Sequence, residues 1–295
     1  MTTREADRIR EQFYEISAPS AEEEFRFIEA LRFLIEETKQ PHYMMELGGY
    51  YYGVKKFDLA LKYYELAAEY HDLDAYICLG YIWYYGRTGV KDYEKAFFYY
   101  SKAMKAGDLI STYKVADMYK NGYYVEKDYE KYKEIIESLY PKVKKARNLG
   151  APLPEVFTRL ARIRAAEGKR EEAVELNLKA KDFLAQRISY NDFFGNLSIM
   201  KWLIDDLYTL IPFDYEQFDF YDLFYLLQQP GTVSFTFEGD PYEVHAVEEN
   251  GEVVIEFNGK WFRNREDFFA KAQIREGKLT FLYDALEDLA WKEET

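Results

Sequence analysis

The residue types that most often do chemistry are sparse in this chain. There are three histidines, His42, His71 and His245, and a single cysteine, Cys78. No histidine stands at metal-ligand spacing from another histidine or from the cysteine. Ordinary polar positions are expected for His42 and His71, and the alternation around His245 predicts a solvent-facing ring on a strand. The pattern predicts neither a metal site nor a cofactor.

The other candidates for catalysis also have simple structural explanations. Cys78 stands between Ile77 and Leu79, which is typical of a small buried hydrophobe. A cysteine nucleophile would need a base and an orienting group, and no signature marks either of them. Asp205 and Asp206 would point about 100° apart on a helix, as on a solvated face and not as a catalytic pair. The sequence has no Walker loop, Gly-x-Ser-x-Gly or Rossmann fingerprint. We therefore expect no enzymatic activity.

Charge divides the chain into two parts. The net charge is −14, and residues 191–295 account for all of it, with 22 acidic and 8 basic side chains. Residues 1–190 hold the other 31 of the 53 acidic and 31 of the 39 basic side chains. The acidic C-terminal third would repel a nucleic-acid backbone and would attract a basic protein.

Neither the N-terminal segment nor the hydropathy of the chain predicts secretion or membrane insertion. The N-terminal segment is charged from Arg4 onward and lacks the apolar core of a signal peptide. No apolar run approaches the roughly 20 residues that span a bilayer. The single thiol gives no sign of an oxidising compartment. We expect a cytoplasmic protein without membrane contact, and the sequence leaves its oligomeric state open.

An internal repeat is the strongest pattern in the sequence. Residues 92–95 and 128–131 both read Asp-Tyr-Glu-Lys, and they lie 36 residues apart. At the same offset Gly86 matches Gly122. Self-similarity at this period indicates stacked helical hairpins.

Each repeat unit combines two helical patterns. The first contains Leu-Gly at 47–48 and 79–80, and the second contains an alanine near its start, at Ala60 and Ala96. Small residues let two helices approach closely, and larger neighbours fill the grooves. Asp92 stands where a helix N-cap is wanted.

These residues resemble two related families, the tetratricopeptide repeat and the Sel-one-like repeat. Gly48 and Ala60, 12 residues apart, stand at tetratricopeptide signature positions, whereas Gly80 and Ala96, 16 apart, fit the longer loop of the Sel-one-like repeat. At Tyr132 the sequence departs from the small residue of that pattern. The resemblance implies a mainly α protein with a right-handed α-solenoid, in units at 42–74, 75–107, 108–144 and 153–187.

The flanking sequence predicts further helices and then a change to strands. A helix over 3–17 and a capping box at 20–23 are expected before the array, and two helices at 193–210 and 214–228 after it. Beyond Gly231, period-two alternation with turns at 250–251 and 258–259 predicts an antiparallel meander of three or four strands. Helices are expected at 264–274, capped by Asn264, and at 284–291.

Four parts are therefore predicted. They are an N-terminal helical cap (1–41), the repeat array (42–187), connecting helices (188–230) and a small acidic α+β domain (231–295).

A peptide-binding groove is the leading functional hypothesis. In tetratricopeptide-like arrays the first helix of each unit lines the concave face. The resemblance therefore implies a groove lined by Met45, Tyr52, Ile77, Tyr81, Tyr84, Tyr113, Asp117 and Lys120. Tyrosine suits recognition because it offers a large area and a polar tip at low entropy cost. The alternative is that some of these tyrosines only pack between helices.

Three functional classes follow from these patterns. The first is a non-enzymatic scaffold that binds a peptide or protein partner in the groove. The second is an acidic C-terminal domain that binds or neutralises a basic partner, as an immunity-type or regulatory protein does. The third is an enzyme with a carboxylate-built site between the array and the C-terminal domain.

Overall fold

The protein is described here by a computed structural model that covers residues 1–145, 148–189, 191 and 194–293. It contains two compact units, Met1–Ile135 and Ile136–Thr295. Helices dominate, and an antiparallel sheet follows them near the C-terminus, as the sequence predicts. The predicted division into four parts stays a prediction.

Unit 1 is helical in its described residues, and neighbouring helices pair along the chain. The first helix packs on the second, the third on the fourth and the fifth on the sixth. Helix α8 begins in this unit and ends in the next. The bounds are α1 Thr3–Phe13, α2 Ala21–Thr38, α3 Pro41–Gly53, α4 Phe57–Glu69, α5 Leu73–Tyr85, α6 Tyr93–Lys105, α7 Leu109–Asn121 and α8 Tyr129–Val143.

Polar caps begin several of these helices. The predicted capping box at Ser20 is present, with Ser20 Oγ accepting from the Glu23 amide. Asp92 caps α6, where its Oδ1 accepts from the Lys95 amide at 3.0 Å, which confirms the predicted cap. Gly86 ends α5 at a φ of 64°, in the left-handed region that glycine adopts without strain.

Glycines set how closely the helices of each hairpin approach. A Cβ added to Gly48 on α3 would lie 2.6 Å from the Tyr64 ring on α4. Gly80 on α5 meets the Tyr100 ring on α6 in the same way. Both rings are buried. The Leu-Gly pattern in the sequence therefore marks the positions where a tyrosine ring needs the space of a missing side chain.

The helices of unit 2 precede its sheet. Helix α9 packs on α10, and α10 packs on α11. A 3-10 turn, Phe220–Asp222, leads directly into a very short helix, α12. The bounds are α9 Leu153–Ala166, α10 Arg170–Ile188, α11 Phe194–Leu210, α12 Leu223–Leu226 and α13 Arg265–Lys271.

The expected helix over 214–228 is wrong for most of its length. The Asp214 carboxylate accepts from the amides of Glu216 and Gln217, at 2.9 and 3.2 Å. Asp219 accepts from the Tyr221 amide at 2.9 Å. Such local side-chain bonds offer the backbone an alternative to the helical ladder. Only 220–226 is helical.

The sheet has five antiparallel strands in the order β4-β3-β2-β1-β7, and a separate hairpin joins β5 to β6. The predicted turns at 250–251 and 258–259 connect its strands through residues with positive φ. The predicted helix capped by Asn264 is present as α13. The strands are β1 Gly231–Phe237, β2 Asp240–Glu249, β3 Glu252–Phe257, β4 Lys260–Phe262, β5 Gln273–Ile274, β6 Gly277–Lys278 and β7 Glu287–Glu293.

The expected helix at 284–291 is wrong, because a 3-10 turn ends at Ala285 and residues 287–291 belong to β7. It pairs antiparallel with β1, where Val233 lies opposite Trp291. The Trp291 ring occupies the space that a side chain at Gly231 would need. Pairing with β1 provides hydrogen-bond partners for the backbone groups of this segment. This outweighs the local preference of a short polar segment for a helix.

One core joins the sheet to the helical segment of unit 2. Val233 and Phe235 on β1 are buried, and α13 adds Phe268 and Phe269. The Phe269 ring stacks on Phe224 of α12, with centroids 3.7 Å apart and planes 7° apart. The sheet is therefore not an isolated layer, since its core continues into α12.

Candidate functional site

A lysine surrounded by tyrosine rings lies between α5 and α7 of unit 1. Residues 81, 84 and 85 share one face of α5, because side chains three and four apart are neighbours on a helix. The Lys114 ammonium on α7 lies 5.0 to 5.4 Å from four ring centroids and 2.7 Å from the Tyr85 hydroxyl. We call this cluster the tyrosine cage; its members are Tyr81, Tyr84, Tyr85, Tyr113 and Lys114.

The surroundings of Lys114 in the tyrosine cage offset part of the cost of burying its side chain. Lys114 is only 7% exposed. The aromatic faces carry negative quadrupole charge and the Tyr85 hydroxyl oxygen accepts a hydrogen bond, so both offset the lost hydration of the ammonium. Each ring is in turn held in place by the cation it faces.

Tyr84 stays a neutral phenol in this setting. Its pKa is raised, first because burial disfavours the phenolate and then because the Asp117 carboxylate is close. A neutral tyrosine offers both a hydroxyl donor and an aromatic face. The tyrosine cage therefore combines one cation with several polar, uncharged tips.

Further tyrosines extend the cluster toward the loops after α5 and α7. The Tyr84 ring lies edge-on to Tyr93 and Tyr123, with centroids 5.7 and 6.0 Å away. Tyr93 and Tyr123 stack at 4.3 Å. Tyr100 is fully buried beneath them, and its hydroxyl has no hydrogen-bond partner among the described residues. These contacts form a continuous aromatic wall on α5, α6 and the loop after α7.

The structure brings together four of the eight predicted groove residues. Tyr81, Tyr84 and Tyr113 belong to the tyrosine cage, and Asp117 lies close enough to act on Tyr84. Tyr113 is only 5% exposed, so it packs inside the cage and does not line an open surface.

The other four predicted residues are not members of the tyrosine cage as defined above. Met45 and Tyr52 on α3 pack against the core of the first helices, and Ile77 on α5 is partly buried. The Lys120 ammonium lies 5.2 Å from the centroid of the Tyr132 ring.

Sequence reasoning missed the two residues that organise the site, Lys114 and Tyr85. Tyr85 stands four residues after Tyr81, and Lys114 stands three before Asp117, so helical spacing from predicted residues marked both. The groove positions were taken from the resemblance alone, and that choice left them out.

The histidines and the cysteine occupy structural positions. His71 Nδ1 lies 3.0 Å from the Tyr76 hydroxyl, and His245 Nδ1 lies 3.0 Å from Thr232 Oγ1 on the partly exposed face of the sheet. Burial raises the pKa of the Cys78 thiol to about 11, so the thiol is almost entirely protonated at neutral pH. Cys78 is partly buried against the core of the first helices, and its protonated thiol is a poor nucleophile.

Asp205 and Asp206 face different partners. Asp205 Oδ1 accepts from Arg265 at 3.0 Å, whereas Asp206 Oδ2 accepts from Arg162 Nε at 2.5 Å. They form two separate ion pairs, and both side chains are partly buried, so they do not lie on a fully solvated helix face. Within the described ranges, no cluster of three or more His, Cys, Asp or Glu side chains is placed to hold a metal ion. The described helices also include none long and apolar enough to cross a membrane.

The paired helices of unit 1 define a helical repeat array, and a family model identifies the repeat. The Sel1 repeat model matches residues 41–69, 74–108 and 110–131. The first two matches correspond to the hairpins α3–α4 and α5–α6. The chain therefore contains Sel1 repeats, which confirms the Sel-one-like resemblance. Sel1 repeats generally form non-enzymatic scaffolds for protein–protein interaction.

Two solved structures are similar to the chain. A Sel1 repeat protein from Oxalobacter formigenes is 22% identical, with a TM-score of 0.46, over 69% of this chain and 78% of that one. The c5321 protein, described as a protective antigen of uropathogenic Escherichia coli with an SLR fold, is 17% identical, with a TM-score of 0.48. That match covers 73% of this chain and 51% of c5321. No curated protein matches the chain.

Proposed function

We propose that this protein is a non-enzymatic scaffold whose Sel1 repeats bind a peptide or protein segment against the tyrosine cage. One observation carries the proposal: the Lys114 ammonium lies within 5.4 Å of four tyrosine ring centroids on two repeat helices. A scaffold repeat that concentrates aromatic side chains around one cation has the composition of a recognition surface.

The accessible part of the cage supplies the contact area. Tyr85 is 40% exposed, and Tyr81 and Tyr84 are partly exposed. Tyrosine loses little conformational entropy on binding, and Lys114 already holds these rings. A partner segment therefore meets side chains that need little reorganisation.

Point substitutions in the full-length protein test this proposal. Phe224 stacks on Phe269, so deletion of 231–295 would uncover core side chains and confuse loss of binding with loss of folding. Tyr81→Ala and Tyr85→Ala are each expected to lower the affinity for a purified partner about 30-fold. This is the effect of losing a binding hot spot of about 2 kcal/mol. Tyr70→Ala is the control, because Tyr70 is 45% exposed at the end of α4, outside the cage.

The measurement has two parts. Affinity capture with the full-length chain supplies the partner, and titration calorimetry with the purified partner compares the three variants. Equal affinity of Tyr81→Ala, Tyr85→Ala and Tyr70→Ala would place the binding surface elsewhere and end the proposal.

A second candidate function rests on charge. Residues 191–295 carry the whole net charge of −14 and would attract a basic partner, as in a regulatory or immunity-type protein. Binding by this route is expected to fall steeply with added salt, because exposed charges are screened within about 8 Å at physiological ionic strength. Salt-insensitive binding that is lost in Tyr81→Ala would favour the tyrosine cage.

A further inference from the structure

An open pocket of about 360 Å³ lies in unit 2, lined by α10, the end of α11 and the segment 211–222. Apolar side chains such as Leu178, Leu207 and Ile211 form part of its wall. Polar residues form another part of the wall and include Lys181 and Asp222, whose side chains are both buried. Neither the repeats nor the tyrosine cage accounts for it.

The polar wall is a connected network. Lys181 Nζ lies 2.6 Å from Asp222 Oδ1 and 2.7 Å from Asp219 Oδ2. The Tyr208 hydroxyl donates to Asp222 Oδ1 at 2.7 Å. Asp222 Oδ2 accepts from the Asp219 amide at 2.9 Å. Every member is held by at least one other, so the pocket wall is preorganised.

This network carries more negative than positive charge. One ammonium, on Lys181, serves two carboxylates, and the Asp214 carboxylate is a third on the same wall. The pKa of Asp219 is raised, because surrounding protein displaces part of its hydration and because Asp222 is close, although Lys181 opposes the shift. An additional cation would relieve this excess charge.

We propose that this pocket binds the ammonium or guanidinium group of a ligand whose stem is apolar. A lysine or arginine side chain of a partner protein and a free aliphatic amine share this chemistry. The exposed carboxylates of Asp214 and Asp219 receive the cationic head, while apolar side chains on the same wall contact the methylene stem. The inference does not depend on binding at the tyrosine cage.

The same contacts exclude two other uses of the pocket. An anion would meet three carboxylates against one ammonium and would be repelled. A nucleophilic lysine needs an amine free to approach its substrate, and Lys181 Nζ is held by two carboxylates, at 2.6 and 2.7 Å. The lysine therefore acts as part of the wall.

Four small probes test the ligand class with the full-length protein by calorimetry or NMR titration. N-acetyl-lysine methylamide, N-acetyl-arginine methylamide and butylamine carry the cation, and N-acetyl-norleucine methylamide is the neutral control. We expect the cationic probes to bind at least about tenfold tighter than the neutral one. Tighter binding of the amides identifies a protein side chain as the natural source, and equal or tighter binding of butylamine identifies a free amine. Equal binding of all four probes, or no binding, overturns the proposal.

Two matched variants locate the binding. Asp219→Asn removes one charge at an exposed pocket position, and Glu171→Gln removes one at an exposed position on the same helix as Lys181. Asp219→Asn is expected to lower the affinity for the cationic probes about tenfold, whereas Glu171→Gln is expected to leave that affinity unchanged. Circular dichroism checks that both variants fold. Equal weakening by both would reveal attraction to overall charge and reject a specific pocket.

Discussion

Gly48 and Gly80 each face the buried ring of a tyrosine on the next helix. The sequence marks these positions as Leu-Gly, and the structure shows why no larger residue fits. Gly49, the adjacent residue, has open space, because a Cβ there would lie 3.9 Å from the nearest atom, the Tyr64 hydroxyl. Two neighbouring glycines on one helix therefore have opposite tolerance for a side chain.

This contrast gives a prediction at the scale of single residues. Gly48→Ala is expected to lower the free energy of unfolding by about 1–3 kcal/mol, because the buried Tyr64 ring has to shift. Gly49→Ala, at a helical position with room for a methyl group, is expected to raise it by about 0.4–1 kcal/mol. Urea denaturation of both variants measures the difference. A Gly48→Ala variant as stable as the unsubstituted protein would show that the ring moves freely.

The tyrosine cage shows how far sequence reasoning reaches at this scale. Tyr81, Tyr84, Tyr113 and Asp117 were predicted from their places on repeat helices. Lys114 was not, since three of its four ring partners lie on another helix and only the packing of α5 on α7 brings them to its ammonium. Helix periodicity defines a face, but it does not define what that face meets.

At the scale of elements, Asp92 connects a loop to a helix. Its carboxylate accepts from the Lys95 amide, and its own amide donates to the Trp83 carbonyl at 3.0 Å. Both bonds lie where the long inter-helix loop returns to α6. The start of the second helix in this repeat is therefore fixed by one residue.

The contribution of the Asp92 cap to stability can be predicted from other helix caps. Asp92→Ala is expected to lower the free energy of unfolding by about 0.5–2 kcal/mol, because the Lys95 amide loses its acceptor. Asp92→Asn keeps an acceptor oxygen and is expected to recover most of that loss. Thermal unfolding followed by circular dichroism compares the two. Equal losses for both variants would mean that the charge, and not the cap, stabilises α6.

Helices, strands and turns were predicted correctly where a local pattern determines them. The prediction failed where a segment distant in sequence determines the secondary structure. The hairpin turns at 250–251 and 258–259 follow from Asn-Gly pairs, which need no information beyond themselves. Strand β7 pairs with β1, far away in sequence, and the 284–291 segment alone reads as a short helix. The helix expected at 214–228 failed for a different reason, since aspartate side chains capture nearby amides.

At the scale of the whole molecule, the sheet and the helices before it share one core. Phe224 of α12 stacks on Phe269 of α13, and the Tyr221 hydroxyl donates to the Thr280 carbonyl at 3.1 Å. Both contacts join residues from either side of Pro230-Gly231. Composition changes at that point, yet the packing of unit 2 continues through it.

Shared packing predicts shared unfolding. Phe224→Ala is expected to lower the free energy of unfolding by about 3–5 kcal/mol and to speed amide exchange in both α11 and β1–β3. Trp202→Ala removes an exposed ring of similar size from α11 and is expected to change stability by at most about 0.5 kcal/mol. Hydrogen exchange with mass spectrometry measures both. Full protection of β1–β3 in Phe224→Ala would show that the sheet folds independently.

The glycine–tyrosine contact also constrains how such repeats can diverge after duplication. Gly48 and Tyr64 are 16 residues apart, and Gly80 and Tyr100 are 20 apart, so the loop between them has changed length while the contact has remained. A larger residue at either glycine becomes acceptable only after its tyrosine has shrunk. The order of mutations therefore matters, and such epistasis lets loop lengths drift while each glycine and its ring change together or not at all.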